Sequence, residues 1–257
     1  MATITIALRD IVTDPENPID LTTLSEAEAT EAIRRSYLSV GMTVSVVLKD
    51  GVTTIAMPDR KPKRAKEAQL WYQDAVRSAD KGDYGVAIQG FRRVLQYLPN
   101  WGEARRNLAM AYLESGNVDE AKNQLIDVLR LDPKDVWGYL LLGNLYAKHR
   151  NDFGKAEGFY RTAFAINPND AILLTNYGAL MEKRNSLEQA REFFERAEKA
   201  DPGYPNSYYG LALLERREGS EPNVLAVLDR MFDTARTGDR RSGPLFAEAR
   251  KTYLGEH

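Results

Sequence analysis

The 257-residue chain contains no cysteine. That absence removes disulfide frameworks, thiolate nucleophiles and cysteine metal sites together. A reducing, cytoplasmic setting is the expectation that fits it. Histidine is nearly absent too, with only His149 and His257. His149 falls beside Arg150, Asn151 and Asp152 at an expected helix end, where an imidazole more often serves the terminus than a metal ion. The chain has no phosphate-cradling glycine loop, no HExxH motif and no Gly-x-Ser-x-Gly elbow. Carboxylate pairs such as Asp119 with Glu120 and Glu192 with Glu195 sit on polar helix faces, with no nucleophile and base arranged beside them. Neither an enzyme nor a cofactor nor a metal site is therefore expected. An excess of one charge is also missing. Lys and Arg number 35 against 37 Asp and Glu, for a net charge of -2, so nothing global draws the chain to nucleic acid or an anionic membrane. No apolar run approaches the roughly 20 residues that cross a bilayer, so membrane insertion is not expected. The start, MATITIALRD, lacks a basic n-region and carries Arg9 and Asp10, unlike a secretory signal.

Against these absences stands a period. Asp132-Pro133, Asn167-Pro168 and Asp201-Pro202 recur 35 and 34 residues apart, and Pro99 lies 34 before Pro133. A second register runs through Gly82, Gly116, Asn151, Asn185 and Gly219. Gly and Asn tolerate the left-handed conformation that ends helices. Two registers interleaved at one period near 34 signal an array of helix-turn-helix units.

The positions between the prolines carry a further pattern. From Ala68, the first unit places Trp71, Ala75, Ala87, Phe91 and Pro99 in a large-small-small-large-proline order. The second has Leu108, Ala109, Tyr112, Ala121, Leu125 and Pro133. The third has Tyr139, Leu142, Gly143, Tyr146, Ala156, Tyr160, Ala163 and Pro168, with one residue inserted at its inner turn. The fourth has Leu174, Tyr177, Gly178, Ala190, Phe194, Ala197 and Pro202. The fifth keeps Tyr208, Leu211 and Ala212, puts Val224 at a small position and lacks the proline. In these residues the chain resembles the tetratricopeptide repeat family over about 68–235. The resemblance implies a mainly α fold, a right-handed solenoid of about five repeats (68–101, 102–135, 136–170, 171–204, 205–235). A loop and capping helix, opened by Pro244 and striped with Leu245, Phe246, Ala249 and Tyr253, would occupy 236–257.

Residues 1–57 read as a small α+β domain of βαββ order. Ile4, Ile6 and Leu8 alternate with Thr3 and Thr5, as a half-buried strand does. Ser25 and Glu28 form a capping-box pair ahead of Ala29, Ile33, Tyr37 and Val40 at helical spacing, with Gly41 as the stop. Val44, Val46 and Leu48 begin a second strand, and Asp50-Gly51 predicts a type I′ turn into a third over 52–57. So small a domain is marginal alone and should lean on the array, a second copy or a partner. Residues 58–67 read as a linker, with Arg60, Lys61, Lys63, Arg64 and Lys66 making it basic.

The resemblance also implies that the first helix of each repeat lines an inner, concave surface. The candidate partner-binding residues there are Tyr72, Arg106, Met110, Trp137, Leu140, Asn144, Ile172, Asn176, Tyr209, Leu213, Arg216 and Arg217. Trp137, Leu140, Ile172 and Tyr209 are expected to form an exposed apolar strip, because aromatics anchor partners with little rotamer loss. For Trp137 packing between repeats is the competing reading; Tyr72 and Tyr209 lean toward binding. Asn144 and Asn176 would hold a partner's main chain, and Arg216 and Arg217 an acidic group. Some family members clamp a C-terminal carboxylate. Here Leu140, Asn206 and Gly210 replace the cations of that clamp, so a chaperone tail is not expected. The function implied is a protein–protein adaptor or scaffold holding a peptide or helix of a partner, as a regulatory or assembly subunit. Self-association through the sheet edge or array ends is the alternative. Nucleic-acid contact through Arg60 to Lys66 is a weaker one.

Overall fold

The computed structural model describes residues 2–7, 11, 20–38, 44–57 and 65–237. The expected capping helix from Pro244, Gly41 and most of the basic linker lie outside the described residues. Two units divide the chain, 1–141 and 142–257, and the division falls inside one helix.

The first unit opens with strand β1 (Ala2–Ala7), a 3-10 turn (Leu21–Thr23), helix α1 (Glu26–Leu38) and strands β2 (Ser45–Lys49) and β3 (Val52–Met57). The sheet order is β1-β3-β2, antiparallel throughout, so β3 is central and two edges remain. Asp50 and Gly51 have φ of 53° and 72°, the two positive values that a type I′ turn demands. The capping box forms as expected: Glu28 N–H donates to Ser25 Oγ at 3.3 Å, and Ser25 N–H donates to Glu28 Oε2 at 3.0 Å. Hydrogen bonds from the Ser25 hydroxyl and N–H hold the Glu28 carboxyl below its usual range.

Ten helices follow among the described residues, α2 (Ala65–Asp80), α3 (Tyr84–Tyr97), α4 (Gly102–Glu114), α5 (Val118–Leu131), α6 (Val136–Lys148), α7 (Phe153–Ile166), α8 (Ala171–Lys183), α9 (Leu187–Ala200), α10 (Pro205–Arg217) and α11 (Glu221–Thr237). Both periods become geometry. Gly82, Gly116, Asn151, Asn185 and Gly219 all have positive φ, between 52° and 81°. Each ends the first helix of a pair, and the residue after it donates back across the turn. Asp83 donates to Ser78, Asn117 to Tyr112, Ser186 to Met181 and Ser220 to Glu215, at 2.8–3.0 Å. The third turn spans one residue more, Asp152 to Tyr146 at 3.0 Å, which accommodates the insertion seen in the sequence. At the outer period Asp132, Asn167 and Asp201 are extended, the conformation a following proline imposes.

Packing in each unit sets small residues against rings. The alanines Ala87, Ala121, Ala156 and Ala190 are fully buried, and Val224 fills the same place in the last pair. Within the second unit, a Cβ on Gly143 would stand 2.2 Å from the Tyr160 ring. Phe194 faces two such positions, 2.8 Å from Gly178 and 2.4 Å from Gly210. Within the first unit, Arg105 is buried and donates to the Pro99 carbonyl at 3.0 and 3.1 Å, to Gln124 at 3.1 Å and to Asp127 at 3.2 Å. It ties the outer turn of one repeat to the next. Burial raises the Asp127 pKa against the pull of Arg105 and Arg130.

The small sheet domain leans on the array. Its core of Ile11, Leu21, Ala29, Ile33, Tyr37, Val44, Val46 and Ile55 takes in Leu131 from the end of α5. The Tyr37 hydroxyl donates to the backbone carbonyl of Arg130. Burial pushes the Tyr37 phenol up from 10.0 to about 12.

Gly210→Ala must push a methyl into the Phe194 ring and is expected to lower stability by about 1–3 kcal/mol. Gly158→Ala in α7, where nothing lies within 4 Å of the added methyl, should raise stability by about 0.5–1 kcal/mol. Urea unfolding of both reads the opposite signs. Tyr37 binds its proton more tightly folded than unfolded, so its contribution is whole below pH 10 and drains away as pH rises toward about 12. Tyr37→Phe should cost about 1 kcal/mol at pH 7 and flatten the alkaline loss of stability in urea titrations run from about pH 9 upward.

Candidate partner-binding face

In the first unit α2, α3 and α4 enclose a hollow of about 410 Å³. Val76 and Ala79 come from α2, Tyr84 and Phe91 from α3, and Asn107, Met110 and Ala111 from α4; Asp80 and Glu114 stand beside them. Helical spacing puts Val76, Ala79 and Asp80 on one side of α2, and Asn107, Met110, Ala111 and Glu114 on one side of α4. Met110 is 47% exposed.

The expected residues of this unit fare differently. Tyr72 is buried, its ring 4.5 Å from Trp101 and 5.8 Å from Phe91. Its hydroxyl donates to Glu103 Oε1 at 2.7 Å and accepts from Asn107 Nδ2 at 2.7 Å. Burial first, and then the Glu103 carboxylate, push its pKa well up. It is an internal tie between repeats, not an anchor on the surface. Arg106 forms an ion pair with Asp135, whose other oxygen accepts from the Gly138 N–H at 2.6 Å and caps α6. Trp137 is 42% exposed, as its surface reading requires. Leu140 is not: it is 3% exposed, which corrects its place in the apolar strip. The reason lies in α6, whose sequence VWGYLLLGNLYAK is apolar nearly all round, and such a helix is buried on most of its circumference.

In the second unit Leu213 is 48% exposed, while Ile172 and Tyr209 are half-buried. The two asparagines are engaged inward. Asn144 Oδ1 accepts from the Tyr160 hydroxyl at 2.6 Å, and Asn176 Nδ2 donates to the Ile172 carbonyl at 2.8 Å. Arg217 donates to Glu182 Oε1 at 3.0 Å and to Asn185 Oδ1 at 2.6 Å, so its charge is already matched. Arg216 is exposed. Glu215, on the far side of α10, is buried; burial works to raise its pKa, but Arg191 and Asn223 outweigh it and the net shift is downward.

Reading the first helices at their usual inner positions misses Asn107 and Tyr84. Asn107 follows Arg106, lies one turn before Met110 on the wall of the hollow, and donates to the Tyr72 hydroxyl. Tyr84 belongs to the second helix of its repeat, and no helix-one pattern points to it. Among the described residues no group of three or more His, Cys, Asp or Glu side chains is placed to hold a metal ion. No helix there is long and apolar enough to cross a membrane.

The family model described as Tetratricopeptide repeat matches residues 78–145 and 147–214, more than half of the chain. Among curated proteins, the chain is 25% identical over 134 residues to the protein O-mannosyl-transferase Tmtc3 of Drosophila melanogaster. The match covers 52% of this chain but 14% of that protein. The BBSome complex member bbs-4 of Caenorhabditis elegans is 27% identical over 154 residues, 60% of this chain and 33% of that protein. The chain thus spans a third or less of these relatives. Among solved structures, a thermophilic TPR protein of Thermus thermophilus superposes with a TM-score of 0.60 at 22% identity, covering 71% of this chain and 98% of that one. Proteins of this kind are typically non-catalytic and mediate protein–protein interactions and complex assembly. Paired helices, two interleaved turn registers and the family match agree: the chain belongs to the tetratricopeptide repeat family.

Proposed function

We propose that the chain is an adaptor that holds a peptide or helical segment of a partner protein on the inner faces of its first helices. The observation that carries this reading is the exposure of Met110, Trp137 and Leu213, at 47%, 42% and 48%. All three sit on helices that open a repeat, α4, α6 and α10. Large apolar side chains left in water at such sites are the anchors a partner can cover. A role inside a larger complex, with the sheet domain and the helix faces meeting different components, fits the same arrangement and the bbs-4 relative's name.

The test places a photoreactive benzoyl-phenylalanine at position 137 or 213 of the full chain in its native cells. Discrete crosslinks to a polypeptide are expected from both, and none from Glu120 or Glu195 on exposed polar faces. Equal bands from all four positions would remove these anchor positions from the account. Trp137→Ala should weaken the crosslinked complex by about 2 kcal/mol or more.

Self-association is a second reading, favoured by one observation. Val47 and Val52 are 61% and 42% exposed, and Val47 lies in the edge strand β2, on the face opposite Val46 and α1. Sedimentation of the full chain against Val47→Lys decides it. A concentration-dependent dimer lost in the variant is expected on this reading, and a monomer in both ends it.

A further inference from the structure

The hollow between α2, α3 and α4 carries charge of one sign, and the charge is placed where helices disfavour it. Asp80 is the last residue of α2 and Glu114 the last of α4. A helix C-terminus already presents about half a negative charge, so a carboxylate there opposes the dipole. The later first helices obey the rule: α6, α8 and α10 end in Lys148, Lys183 and Arg217. The first two break it side by side. Neither Asp80 nor Glu114 has an ion-pair partner among the described residues, whereas Arg106, the cation nearest in sequence to the hollow's α4 wall, is held by Asp135.

We propose that this hollow receives a lysine or arginine side chain from a basic segment of a partner protein. The assignment rests on the adaptor reading and names what that adaptor takes. Two carboxylates and two helix ends supply a negative field at the rim. Val76, Ala79 and Met110 supply an apolar wall. A hydrated metal ion has no use for such a wall, and an acidic peptide is repelled by the rim. A lysine or arginine uses both, because its methylene stem lies on apolar surface while its charged head reaches carboxylate. An aliphatic neighbour in the same segment would cover the rest of Met110.

The test uses the full chain labelled with ¹³C-methyl methionine and three soluble peptides, acetyl-GSKLKLGS, acetyl-GSQLQLGS and acetyl-GSELELGS. The Met110 signal, assigned through Met110→Leu, should shift most with the lysine peptide. Its affinity should exceed that of the glutamine peptide by about five- to tenfold at low salt, and the gap should close as salt rises. Asp80→Asn combined with Glu114→Gln should erase the preference. Both changes relieve the helix ends, so folding is not at risk. Asp119→Asn with Glu120→Gln, on α5, should leave the preference intact. Equal or tighter binding of the glutamate peptide overturns the proposal, as does a preference that survives in the rim variant. A Met110 signal that moves only with protein concentration points to a second copy and also overturns it. If no peptide moves Met110, the hollow is not the site; crosslinks from position 137 would then still carry the adaptor reading.

Discussion

The fold depends on how closely two helices of a pair can approach, and that is set by residues with little or no side chain. Phe194 lies against bare Cα positions on two different helices, Gly178 and Gly210. Tyr160 lies against Gly143 in the same way. In the first unit Gly90 meets Ala75, with 2.7 Å between an added Cβ and the alanine methyl. Each ring fills the space a small residue opens, and neither half of the exchange is stable alone: a ring without the gap clashes, and a gap without the ring is a void. Fully buried alanines repeat the arrangement from pair to pair.

Where the second helix supplies the ring, as Tyr160 of α7 and Phe194 of α9 do, the first helix has side chains left over. Those that point away from the packed seam are left to the surface. Tyr72 and Leu140 show how narrow the margin is. Tyr72 sits at an inner position, yet Trp101 and Phe91 take its ring and Glu103 and Asn107 take its hydroxyl. Leu140 belongs to a helix with too little polar surface to leave it outside. Met110, Trp137 and Leu213 remain in water because no ring or apolar face from another helix covers them fully.

Charge on the same helices is mostly neutralised internally. Arg106 is bound by Asp135, and Arg217 by Glu182. Exposed pairs like the second contribute little to stability, but they decide which charges are left to act outward. The small sheet domain also meets the array among the described residues. The Tyr37 phenol and Leu131 join it to the end of α5, and such contacts help a layer of three strands and one helix escape the marginal stability of its size.

Much of this is legible in the sequence, because it depends on local chemistry. Positive φ at Gly82, Gly116, Asn151, Asn185 and Gly219 follows from residue type and period. The Asp50-Gly51 turn and the Ser25–Glu28 capping box involve neighbours no more than three residues apart, so no distant contact overrides them. The inserted residue at the third inner turn can be counted along the chain, and its longer hydrogen-bonded loop is the consequence. Exposure within a helix face cannot be assigned that way. In the sequence Tyr72 leans toward binding and Trp137 divides between anchoring and packing, and the difference lies in which rings and polar groups arrive from other helices. The docking of Tyr37 on Arg130, 93 residues away, and the joining of Asp80 and Glu114 around one hollow likewise need the packed chain. Helix ends are written in neighbouring residues; burial and the company a charge keeps are set by segments far apart along the chain, and only tertiary packing brings those together.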